Sequence, residues 1–147
     1  MHGYARTNYL EAQVLTAAPQ KLRLLLIEGA LRHGRAAREH CLANRIWDGG
    51  ESLTRCHEIV HELVAGLRRE EAPELVAQVG GLYAYISRLL STAHLRRELT
   101  SLDEALALLE HERETWSLVC RQLGESRQRP PEDATSSATS DRLSLNA

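Results

Sequence analysis

Apolar positions recur along this chain every three or four residues, the spacing that lines one face of an α-helix. Leu22, Leu25, Leu26, Gly29, His33, Ala36, Ala37 and His40 form a first stripe, and Leu53, Cys56, Val60, Leu63, Val64 and Leu67 a second. Leu75, Val79, Leu82, Ile86, Leu89, Leu90 and Ala93 make a third. Leu102, Leu106, Leu109, Arg113, Trp116, Cys120 and Leu123 make a fourth, close to a heptad. No segment alternates with a period of two, so no strand is predicted. Proline is absent between Pro19 and Pro73 and again between Pro73 and Pro130, which leaves room for unbroken helices.

The boundaries follow from local chemistry. Pro19 suits a first helical turn, where its missing N–H has no partner to lose. Asp48-Gly49-Gly50 reads as a turn with Ser52 capping the second helix, and the stretch from Glu70 to Pro73 closes that helix and opens the third. Thr100 or Ser101 caps the fourth, Asp103 and Glu104 favour its positive end, and Gly124 reads as its C-cap. Four helices of roughly 20–25 residues with short connections predict an all-α, antiparallel up-down bundle. The bundle is expected over residues 18–124, after an N-terminal cap segment over 1–17. Residues 125–147 hold Pro130-Pro131, seven Ser or Thr and only Leu143 and Leu145 as large apolar residues, and are expected to be disordered.

The first helix is apolar on two faces. Opposite the stripe of Leu22, Leu26 and His33 lie Leu24, Ile27 and Leu31, spaced i, i+3 and i+7. Such a helix either lies deep in a core or turns its second face to a partner. An external groove lined by Leu24, Ile27 and Leu31 is one reading, with Tyr9, Leu10, Val14 and Leu15 as cover. A fifth packed element is the other. His33 and His40, on the first stripe, read as hydrogen-bonded core histidines.

Composition narrows the function classes. The 147 residues are 43% apolar and 26% charged, fitting one globular domain. A net charge of −2 argues against non-specific nucleic-acid binding, which needs surplus positive charge. The first residues show no charged segment leading into an apolar one, and the densest apolar run, Leu24 to Ile27, is far too short to span a membrane. Cys41, Cys56 and Cys120 form no CxxC pair and read as reduced thiols, so the expected place of work is the cytoplasm and no cofactor is expected.

One motif looks catalytic. His57-Glu58-Ile59-Val60-His61 matches H-E-x-x-H, in which two histidines one turn apart bind zinc and the glutamate activates water. The alternative function it raises is a zinc-dependent hydrolase using His57, Glu58 and His61. On the helical wheel, however, His57 flanks the core stripe and His61 sits further towards solvent. A third ligand in the extended pattern is missing, as is an edge strand for a substrate. Di-iron bundles need two Glu-x-x-His copies, and only Glu58–His61 is present. No catalytic residue and no metal ligand is therefore assigned.

A longer pattern points elsewhere. Tyr9-Leu-Glu-Ala-Gln-Val14-Leu-Thr16-Ala17-Ala18-Pro19-Gln-Lys-Leu22 continues into Leu25-Leu-Ile-Glu28-Gly29-Ala30. Leu82-Tyr83-Ala84-Tyr85-Ile86 precedes Arg88-Leu89 and Ala93-His94, and Leu108-Leu109 precedes Arg113-Glu114-Thr115-Trp116. In order and spacing these resemble the flagellar secretion chaperone family FliS. Ala18 stands where that family usually has serine, Ile27 where it has an aromatic residue, and Gly80-Gly81 where it has helix formers.

The resemblance implies a non-enzymatic helical bundle that binds the C-terminal region of newly made flagellin in apolar grooves. Such binding blocks premature polymerisation and keeps the cargo competent for type III export. It implies docking of the complex on the cytosolic domain of the flagellar export gate through the N-terminal tyrosine segment, here Tyr9 with Val14. Groove residues are then Leu24, Ile27, Leu31, Tyr83, Tyr85 and Leu89. A monomer or weak homodimer is expected, without nucleic acid and without membrane insertion. Arg113, on the predicted core stripe, needs a partner, and Glu28 is the expected one.

Overall fold

A computed structural model describes residues 18–67 and 73–128. They form four helices: α1 (Pro19–Leu42), α2 (Ile46–Leu67), α3 (Pro73–Arg96) and α4 (Leu99–Gln128). Each packs against its neighbours in sequence, and α4 closes the ring onto α1. The result is an antiparallel up-down four-helix bundle. Among the described residues there is no strand, and no helix is long and apolar enough to cross a membrane.

Pro19 occupies the first turn of α1, and Leu22 N–H donates to the Ala18 carbonyl at 2.9 Å. The other end of α1 is closed by backbone geometry. Asn44 takes a left-handed conformation (φ 60°), its N–H donates to the Cys41 carbonyl at 3.1 Å, and Arg45 N–H donates to that of His40 at 2.8 Å. This pair of bonds is a Schellman closure with asparagine in the glycine position.

The chain therefore turns at residues 43–45, ahead of the predicted Asp48-Gly49-Gly50, and α2 already contains Ser52. Gly49 serves close approach instead: a Cβ there would lie 3.2 Å from the His40 Cβ and 3.5 Å from the Ala37 carbonyl. α4 begins at Leu99, so Thr100 and Ser101 are inside it, and Ser101 donates to Glu98 at 2.9 Å. Its other end runs through Gly124, which has no left-handed φ, to Gln128. α3 likewise continues unbroken through Gly80-Gly81.

The core phase of α2 is as predicted: Leu53, Cys56, Val60, Leu63 and Leu67 are buried. That of α1 is as predicted only at Gly29 and Ala37. Leu24, Ile27, Ala30, Leu31 and Ala37 are buried in the core, while Leu22, Leu26 and His33 are half-buried on the flank beside the buried Gly29. Gly29 meets Ile59 of α2 there, 3.5 Å from an added Cβ to its Cδ1. Both apolar faces of α1 are thus used, one by the core and one by α2. Gly34 admits Leu106 of α4, whose Cδ2 would be 2.6 Å from a Cβ, and Cys56 of α2.

Candidate functional site

The predicted groove residues separate into two sets. Leu24, Ile27, Leu31 and Tyr83 are interior, none more than 4% exposed. The expectation that Leu24, Ile27 and Leu31 line an open external groove is corrected, because the axis of the bundle passes along the face they share. Tyr83 likewise sits in the core rather than on a surface. Tyr85 and Leu89 are different: Tyr85 is 39% exposed and Leu89 half-buried at the edge of the core. Tyr9 and Val14 lie outside the described residues.

Tyr85 marks the seam between α3 and α4. Its hydroxyl donates to Glu104 of α4, which raises its pKa, and the Arg88 guanidinium stands 5.9 Å from its ring centroid. Leu82 and Leu89, three residues before and four after, share the flank of α3 that carries Tyr85. Leu108, one turn after Glu104, occupies the facing flank of α4, also half-buried. Together they form a partly open apolar row with a polar crossing at Tyr85–Glu104.

Behind that row lies a buried polar cluster that the sequence reading missed. Tyr83 Oη donates to Glu112 Oε2 at 3.1 Å, and Trp116 Nε1 donates to the same oxygen at 3.0 Å. The Arg23 guanidinium stacks over the Trp116 ring, 4.4 Å from its centroid. Burial and the Glu112 charge both push the Tyr83 hydroxyl pKa up. The buried charge on α4 is thus Glu112. Arg113 points to the α1 flank, where its Nε donates to Glu110 at 2.7 Å, and the expected partner Glu28 acts on it only through its charge, without a hydrogen bond. Arg35 also pairs with Glu110, and Arg38 Nε donates to Asp103 at 2.6 Å, so ion pairs close the α1–α4 seam.

The H-E-x-x-H side chains have separate surroundings. His57 Nε2 is 2.7 Å from Ser87 Oγ of α3, His61 is exposed, and Glu58 pairs with Arg55 at 3.1 Å. Among the described residues, no group of three or more His, Cys, Asp or Glu side chains is placed to hold a metal ion. The zinc-hydrolase reading finds no support in these side chains. A larger surface depression of about 1100 Å³, bordered by His33, Cys41, Gly49, Arg55, His94 and Arg97, mixes both charge signs with backbone. His40 is held by Arg45, whose Nε donates to its Nδ1 at 3.1 Å.

Residues 1–123 match the family model described as flagellar protein FliS. The chain is 30% identical to the flagellar secretion chaperone FliS of Salmonella typhimurium, over 79% of this chain and 86% of the relative. It is 30% identical to the chaperone of that name from Bacillus subtilis, over 75% and 81% of the two chains. With that of Escherichia coli the identity is 29%, over 73% and 79%. A match to the family over most of its length, on a four-helix bundle, shows that this chain belongs to the FliS family of flagellar proteins.

Proposed function

We propose that this chain is a cytoplasmic export chaperone that binds the C-terminal helical region of flagellin along the α3–α4 face. The observation that carries this reading is the family match over residues 1–123. An accessible apolar row at Leu82, Tyr85, Leu89 and Leu108 supports it. An unfolded cargo segment laid there as an amphipathic helix buries its apolar side, and that burial offsets the cost of ordering it. Held so, the segment cannot pair with other flagellin subunits. Leu24, Ile27, Leu31 and Tyr83 act behind the face, by holding α1, α3 and α4 in register. Tyr9 and Val14 serve docking on the cytosolic domain of the export gate. The chaperone works as a monomer or weak homodimer, by binding and release, with no chemical step of its own.

The test is a Tyr85→Ala, Leu89→Asp double variant, with Leu95→Ala, at an exposed site off this face, as control. The double variant should lose at least tenfold in affinity for full-length flagellin while keeping its helical content, and the control should bind as the parent does. Unchanged affinity in the double variant would refute this assignment of the face.

A further inference from the structure

The histidines of the H-E-x-x-H motif gather with a third one on the opposite side of the bundle from the ion-paired α1–α4 seam. His57, His61 and His94 border one groove of about 330 Å³ between α2 and α3, with Leu53, Ser91 and Leu95. The rings of His57 and His61 are 4.9 Å apart, and His57 is the polar tie between the helices through Ser87. We propose that the α2–α3 seam is a proton-sensitive joint: protonating these three histidines sets like charges in one groove and separates α2 from α3 while the α1–α4 seam holds.

The surroundings favour charge repulsion over rescue. On α2, the Glu58 carboxylate borders the groove but is engaged by Arg55. From α3 come His94 and the uncharged Ser87 and Ser91, with Arg97 just beyond the helix end. On the far side of α2, α1 contributes His33 and the Arg32 cation. The inward positions of α4 at this level, Leu102, Ala105 and Leu109, are apolar. Burial, His61 and His94 together hold the His57 pKa below its ordinary value. The α1–α4 seam has the opposite character, since Arg113 and Arg35 keep Glu110 ionised below the usual carboxylate range. Opening the joint would expose Leu53, Val60, Ile86 and Leu90, all buried in the closed bundle.

A histidine whose proton affinity is suppressed in the closed seam and restored in the open one shifts opening by up to about tenfold per pH unit below its open-state pKa. Amide hydrogen exchange on the full chain, expressed as protection factors at pH 7.5 and 5.5, reads this directly. Protection in α2 and α3 should fall about tenfold at the lower pH while that of α1 and α4 changes less than twofold. A His57→Gln, His61→Gln, His94→Gln variant should show no such fall. Should that variant fail to fold, His61→Gln with His94→Gln alters exposed positions only and should reduce the fall by at least half. Loss of protection spread evenly over four helices, or a fall undiminished in the variants, would overturn the proposal.

Discussion

The Tyr83 hydroxyl of α3 and the Glu112 carboxylate of α4 meet inside the bundle at 3.1 Å, and the oxygen that accepts from Tyr83 also accepts from Trp116. Glu112 is only 7% exposed, so its charge depends on these donors and on the Arg23 cation above the Trp116 ring. Tyr83→Phe removes one donor and should cost about 1–2 kcal/mol. Glu112→Leu strands two donors beside a cation and should cost about 3 kcal/mol or more. Urea unfolding of the two variants checks both the order and the size.

The glycines should separate by what surrounds them. Gly66, Gly81 and Gly124 lie inside helices with nothing within 4 Å of an added Cβ. Alanine at each should raise stability by roughly 0.5–1 kcal/mol. Gly124→Ala is the sharpest of the three, because a left-handed C-cap there would make the same change destabilising. Gly34→Ala meets the Leu106 Cδ2 at 2.6 Å, so Leu106 must move aside, and this change should gain less than the other three. Thermal melts of the four variants decide.

The cysteines should react in order of access. Burial pushes the Cys56 thiol up to about 12, so it stays protonated as well as hidden. Cys41 is exposed and Cys120 half-buried. A thiol reagent at pH 8 should modify Cys41 first and Cys120 more slowly, with Cys56 reacting only on unfolding. Mass spectrometry of digests taken through the time course checks the sequence of events.

Acid should weaken the fold in two stages. His33 and His57 both have pKa values lowered from 6.5, chiefly by burial, so the unfolded chain takes up protons that the folded one refuses. Their contribution is complete above 6.5 and diminishes as pH falls below it. Glu110, lowered from 4.5 chiefly by its bond to Arg113, contributes above that value and loses its contribution as pH falls further. Urea midpoints from pH 7.5 to 4 should therefore decline with acidification. A midpoint that rises between pH 7 and 5.5 would contradict the reading of the histidines.

Helix number, the face of α2 and the proline-marked starts of α1 and α3 were legible from spacing. The faces of α1 and α4 were not, for a shared reason. In α1 the interior positions include Ala30 and Gly34, small residues that carry little hydrophobic signal yet permit the closest packing. In α4 the central line Leu102, Leu109 and Trp116 is right, but either flank could accompany it. The flank of Leu106, Arg113 and Cys120, apolar at two of three positions, looks like core, whereas the buried flank holds Ser101, Ala105 and Glu112. A polar flank is invisible as core until Tyr83 and Arg23 are seen beside it. The turn after α1 was misplaced because Asn44 does there what glycine was expected to do five residues later, at Gly49.

Calorimetric titration of the full chain with a peptide covering the C-terminal helical region of the host's flagellin is the most direct test of the central claim. Saturable one-to-one binding at micromolar concentration or tighter is expected, with a large negative heat-capacity change from apolar burial coupled to folding. Absence of binding at tens of micromolar peptide would contradict it.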